Sequence, residues 1–218
     1  GHGHRRRRAC YRRKVRQMIY ALLKITFAML FSIVFRAKIE GRENMPKEGP
    51  VILAANHMSN WDPPLLATFL ARPVSYMAKQ ELFFNFIADY ILRSCHSFPV
   101  KRGAADRGAI KAALAELKKG HCLGVFPQGT RSRHGERKKA EPGVALLAAM
   151  AKAPVVPAAI IGTDHVFANG GFLPKLRVIY GKPLIFQGEK QDKQALQDFS
   201  QKIMDEIYAM IKNDSISD

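Results

Sequence analysis

The sequence predicts an α/β protein: a mixed, partly parallel β-sheet flanked by helices, led by a membrane-associated N-terminal helix. Three observations carry that prediction. Short apolar runs rich in Val and Ile alternate with helix-like segments, the pattern of strands buried between layers of helices. An apolar stretch near the N-terminus follows directly on a run of arginines. At 218 residues, 47% of them hydrophobic, the chain can bury one full core and is too short for two comfortable domains.

Residues 1–37 read as a basic arm and an anchoring helix, and 38–218 as the folded domain. The arm "RRRRACYRRKVR" leads into "MIYALLKITFAMLFSIVF" at 18–35, an apolar stretch broken by Lys24 and Thr26. As a helix this stretch is about 27 Å long, close to the ~30 Å thickness of a bilayer's hydrocarbon. It is long for the apolar part of a signal peptide, carries a lysine, and has no A-x-A-like site before "RAKIEG". A transmembrane span, an interfacial helix and a helix packed on the domain all remain open.

Charge supports a membrane partner. The formal net charge is +17, and residues 1–39 hold 11 Lys/Arg and no acid, which leaves +6 for 40–218. Basic residues beside a membrane helix gain about 1 kcal/mol each from anionic headgroups and favour the cytoplasmic side. The expected location is therefore the cytoplasmic face of the cell membrane. No nucleic acid is expected as a partner, because Tyr11 is the one aromatic residue interleaved in the basic run and an adjoining apolar helix is not a nucleic-acid feature.

Strands are expected at 51–55, 74–78, 97–100, 122–126, 155–161 and 176–180. Helices are expected at 63–70, 81–92, 104–119 and 142–152. The last segment places Leu196, Phe199, Ile203 and Ile207 on one face, followed by Met210 or Ile211, and reads as an amphipathic helix packed on the core. Cys10, Cys95 and Cys122 are odd in number and lack metal-type spacing, which points to a reducing compartment rather than a disulfide scaffold.

Ligands of such sheets gather beyond the carboxyl ends of strands, and three polar stretches fall there. In "NHMSNWDPP", His57 leaves the first apolar run and Asp62 sits at the next helix start, as N-cap with Pro63 at the first helical position. A carboxylate held that rigidly can bond one imidazole nitrogen and leave the other as a base of fixed tautomer. In "SFPVKRGAADRGA", Arg102 follows a strand exit stiffened by Pro99. In "GVFPQGTRSRHGERKK", Gly129 and Thr130 form a tight turn carrying Arg131 and Arg133, which reads as an anion site without a Walker motif. No metal site is expected, since the histidines lack ligand spacing.

Together these stretches resemble the glycerolipid acyltransferase family, of which the 1-acyl-sn-glycerol-3-phosphate acyltransferases are typical. The family's N-H-x-x-x-x-D block is matched by Asn56, His57 and Asp62, and its Phe-Pro-Val-x-Arg block by Phe98 to Arg102. Its Phe-Pro-Glu-Gly-Thr-Arg-Ser block is matched at Phe126 to Ser132, with Gln128 in place of Glu. "APVVPAAIIGT" with Pro157 is similar to the fourth block, and "AKQEL" with Lys79 to a further one. The resemblance runs from about residue 38 to 185.

It implies an acyltransferase domain over 38–218 that moves a fatty acyl group from a thioester to the sn-2 hydroxyl of a lysophosphatidate. His57 would be the general base, oriented by Asp62. Lys79, Arg102, Gln128, Gly129, Thr130 and Arg131 would bind the acceptor. No cofactor is implied beyond the co-substrate, acyl-CoA or acyl-carrier protein, and membrane lipids are the remaining partner. Gln128 keeps an acceptor oxygen but brings N–H donors and loses the charge. That substitution bears on activity and acceptor choice, and leaves glycerol-3-phosphate or another lysophospholipid as alternative acceptors.

Overall fold

The computed structural model describes residues 2–100, 107–132, 136–167 and 173–214, with side chains from Cys10 onward. The first helix, α1, runs His2–Met29 and ends in a wider π-helical turn, Leu30–Val34. Seven strands follow: β1 (Lys38–Glu40), β2 (Val51–Ala55), β3 (Val74–Lys79), β4 (Ser97–Val100), β5 (Cys122–Val125), β6 (Val155–Ile161) and β7 (Arg177–Tyr180). Between and after them lie α2 (Asp62–Thr68), α3 (Phe86–Ser94), α4 (Arg107–Lys118), α5 (Gly143–Ala151) and α6 (Lys193–Asp214).

The strands form one sheet in the order β1-β7-β6-β2-β5-β3-β4. The five strands from β6 to β4 are parallel, and β7 runs antiparallel to β6 with β1 parallel to β7. The mixed sheet expected from the sequence is thus present. β1 is an addition: its three residues carry two charges, and it is held at the edge by Arg177, whose Nη2 lies 2.7 Å from Glu40 Oε1.

Every residue of β2 is buried, because it packs on both faces. Val51, Leu53 and Ala55 join Leu65 and Leu66 of α2 and the end of α1 on one side. Ile52 and Ala54 join Leu117 of α4, Leu147 of α5 and Ile203 and Ile207 of α6 on the other. The result is three layers, helix on sheet on helix. The segment 81–92 divides in two: a 3-10 turn at Gln80–Phe83, then α3, begun where Asn85 Oδ1 accepts from Ala88 N at 2.8 Å.

One stripe of α1 packs on the domain. Arg16 lies over the Tyr90 ring at 5.3 Å, Tyr20 meets His96 edge-on at 5.0 Å, and Lys24 Nζ donates to Leu70 O at 2.6 Å. Phe31 and Phe35 are fully buried. The opposite stripe, Met18, Leu22, Ile25, Met29 and Ile33, is at least 58% exposed throughout. Phe84, Phe86 and Ile87, around the start of α3, are also exposed. Among the described residues one helical stretch, Cys10–Val34, is long and apolar enough to cross a membrane.

Candidate active site

The five parallel strands all point their carboxyl ends to one edge of the sheet. His57 follows β2 there, Lys79 closes β3, the turn at 126–132 follows β5, and Thr163 follows β6. Arg102 and Arg133 lie outside the described residues.

His57 is held from three sides. Its Nδ1 is 2.8 Å from Asp62 Oδ2. Its backbone N–H donates to Gln128 Oε1 at 2.9 Å, and its carbonyl accepts from Ser132 N at 2.8 Å. Its ring stacks on Phe126, with centroids 4.1 Å apart and planes at 19°. Phe126 stacks in turn on Tyr76 at 6.2 Å. That layer depends on Gly124, since a Cβ there would fall 2.1 Å from the Tyr76 ring.

Asp62 is fully buried yet receives four donors. Oδ2 takes His57 Nδ1, Met58 N at 2.6 Å and Ser59 N at 2.8 Å, while Oδ1 takes Thr163 Oγ1 at 2.5 Å. An ionised carboxylate can accept from both backbone N–H groups and the hydroxyl, and charge-assisted bonds of this kind are the strong ones. Against such a carboxylate, Nδ1 is the nitrogen of His57 that donates, and Nε2 is the one left for a substrate. The expected N-cap role is corrected here. Asp62 is the first residue of α2, Trp61 precedes it, and no side chain caps the helix. The carboxylate turns back to the loop because three donors wait there, a stronger pull than one helix N–H.

Asn56 locks the loop to the neighbouring strand. Its side chain accepts from Ile160 N and donates to Ile160 O, both at 2.8 Å. Trp61 packs between Phe31 and Phe35, with ring centroids 6.3 and 6.2 Å away, so the end of α1 braces the loop between His57 and Asp62 directly.

Gln128 is buried, and both ends of its amide are occupied: Oε1 by His57 N–H, Nε2 by Tyr208 Oη at 3.0 Å. Gly129, at φ +69°, makes the turn beyond it. The N–H groups of Gly129 and Thr130, which the sequence offered to an anion, are bonded instead to Phe126 O and Gln128 O. The turn needs them to close. Arg131 and Lys79 are exposed, and Arg131 Nη1 reaches Asn60 Oδ1 at 3.4 Å. Lys138 adds an unforeseen cation, its Nζ 2.8 Å from Arg131 O and 3.3 Å from Thr130 Oγ1.

Among the described residues no cluster of His, Cys, Asp or Glu could hold a metal ion. A cavity of about 1070 Å³ lies between α4, α5 and α6 on the far face of the sheet and is lined by none of the predicted site residues. A smaller one, about 400 Å³, lies behind the 126–132 turn and is lined by Gln128, Ser132 and Tyr208 among others.

An imidazole braced by a buried carboxylate, on a sheet edge that also carries cations, can serve as a general base beside an anionic group. The profile of the family described as Acyltransferase matches residues 36–161, and the chain belongs to that family. It is 32% identical over 170 residues to the 1-acyl-sn-glycerol-3-phosphate acyltransferase of Bacillus subtilis, covering 76% of this chain and 82% of that one. A Streptococcus pneumoniae protein of the same name is 36% identical over 151 residues, 67% of this chain and 55% of its own length. The crystal structure of the 1-acyl-sn-glycerophosphate (LPA) acyltransferase of Thermotoga maritima superposes with a TM-score of 0.67 at 31% identity, over 93% of this chain and 83% of that one.

Proposed function

We propose that this chain transfers a fatty acyl group from a thioester, acyl-CoA or acyl-carrier protein, to the sn-2 hydroxyl of 1-acyl-glycerol-3-phosphate, forming phosphatidic acid. The observation that carries the reading is the 2.8 Å contact between His57 Nδ1 and the buried Asp62 carboxylate. With Nδ1 protonated, Nε2 takes the hydroxyl proton as the hydroxyl oxygen attacks the thioester carbonyl. The tetrahedral adduct collapses, the C–S bond breaks, and the proton passes from Nε2 to the departing thiolate. Asp62 stabilises the imidazolium in between. No acyl-enzyme is needed, because a thioester is already activated.

Lys79, Arg102 and Arg131 seat the acceptor's phosphate together with the Thr130 hydroxyl, and Lys138 supports the Gly129–Arg131 turn. Positioning of this kind supplies much of the rate. Gln128 acts through the backbone of His57. The relatives' names support the acceptor, and the cation-bearing edge agrees with them.

Residues 1–37 serve as the anchoring element, at the cytoplasmic face of the cell membrane. α1 lies in the interface rather than crossing it, because its inner stripe is committed to the domain from Arg16 to Phe35. The outer stripe enters the acyl boundary together with Phe84, Phe86 and Ile87, and the basic arm meets anionic headgroups. Acceptor and product are lipids, so the site works at the headgroup level without extracting them into water.

The test is a vesicle assay with labelled acyl-CoA and, separately, labelled acyl-carrier protein. Labelled phosphatidic acid from lysophosphatidate supports the proposal. No diacyl product from either donor, or product only from glycerol-3-phosphate, overturns it.

A further inference from the structure

We infer that Tyr208, near the end of α6, is a positioning residue that holds the catalytic histidine through Gln128. The chain of contacts is short. His57 N–H donates to Gln128 Oε1 at 2.9 Å, and Gln128 Nε2 donates to Tyr208 Oη at 3.0 Å. The orientation of the amide is forced. A backbone N–H can only donate, so the oxygen of Gln128 faces His57 and the NH₂ faces α6.

Tyr208 has a second tie to the same loop. Its oxygen also accepts from Lys138 N at 3.1 Å, and Arg137 stacks on its ring at 5.2 Å. Two donors fill both lone pairs of the phenol oxygen, leaving its proton to point elsewhere. One hydroxyl on α6 thus fixes both the start of the turn, at Gln128, and its return, at Lys138. His57 O accepts from Ser132 N inside that same turn. Both polar groups of the His57 backbone depend on a loop that α6 holds in place.

The cavity of about 400 Å³ behind the turn explains why the tie is needed. Gln128 and Tyr208 both line it, as does Ser132, whose buried Oγ has no hydrogen-bond partner among the described residues. Without the Tyr208 oxygen, the buried NH₂ of Gln128 loses its acceptor, and the amide has polar room to turn into. Turning carries Oε1 off the His57 N–H. Asp62 still bonds the ring, so the imidazole is kept but displaced, and small misplacements of a catalytic group cost up to about 100-fold in rate.

The catalytic part of this inference rests on the proposed acyl transfer, so the experiment has an arm that does not. Tyr208→Phe, Gln128→Ala and the double variant are compared with wild type by acyl-transfer kinetics and by amide hydrogen exchange. Tyr208→Phe should lower kcat about 10-fold with KM for lysophosphatidate within twofold. Gln128→Ala should lower kcat about 100-fold, and the double variant should match Gln128→Ala, because the two act in series. Exchange at the His57 amide should speed at least 10-fold in Tyr208→Phe, while the Leu53 amide in the core keeps its protection. Multiplying losses in the double variant, or an unchanged His57 amide in Tyr208→Phe, overturns the relay. If wild type makes no phosphatidic acid, the functional proposal fails, and the exchange arm still decides on the relay.

Discussion

Replacing Asp62 by Asn separates the charge of the carboxylate from its shape. The amide oxygen can occupy the Oδ2 position and keep His57 Nδ1, Met58 N and Ser59 N, and its NH₂ then faces Thr163 Oγ1, which can turn to accept. Packing and bond count are nearly preserved, so the cost in folding should stay near 1 kcal/mol. The imidazolium formed in the proposed proton transfer loses the counter-charge of a fully buried carboxylate. That loss is worth about 2–4 kcal/mol of transition-state stabilisation, or about 30- to 1000-fold in kcat. Asp62→Ala differs, because it strands two N–H groups and a hydroxyl, each costing about 1–3 kcal/mol. The assay pairs kcat on lysophosphatidate with thermal denaturation. Turnover within threefold of wild type in folded Asp62→Asn would refute the role given to the charge.

Three further outcomes follow from other parts of the molecule. Phe84→Ser with Phe86→Ser should weaken partition onto anionic vesicles at least 30-fold, at about 1–2 kcal/mol per buried ring, with the circular dichroism unchanged; undiminished partition would remove this patch from the membrane face. Burial pushes the Cys122 thiol up to about 12, so a thiol reagent at pH 8 should modify exposed Cys10 and leave Cys122 untouched until the chain unfolds; rapid native labelling at Cys122 would contradict its packing. Burial, aided by His121, holds the His96 imidazole below its ordinary value. The unfolded chain then protonates first as pH falls, so this stability is present above about pH 6.5 and declines below it. Urea midpoints at pH 7.5 and 5.5 should differ more in wild type than in His96→Asn, and equal differences would exclude the effect.

Much of the fold was legible because its central strands are buried on both faces and written as apolar runs, as in "VILAA". β1 was not, since Lys38-Ile39-Glu40 is short and charged, and it exists only by pairing with β7 and Arg177. The His57–Asp62 pair could be anticipated because its spacing is local. Thr163 and Tyr208 could not, because their partners lie 101 and 80 residues away in sequence. Tyr208 gives no periodic signal beyond that of an amphipathic helix. Trp61 lies in the loop between β2 and α2, and only packing joins it to Phe31 and Phe35. The motif alone puts Gln128 with the acceptor, whereas its burial and both its bonds tie it to His57 and α6.

The most direct test of the account is single-turnover acyl transfer to lysophosphatidate by His57→Ala on vesicles, with membrane binding and melting checked in the same preparation. The account predicts a loss of at least about 100-fold, and up to about 10,000-fold, with folding and vesicle binding retained. Near wild-type transfer by the folded, membrane-bound variant would contradict it.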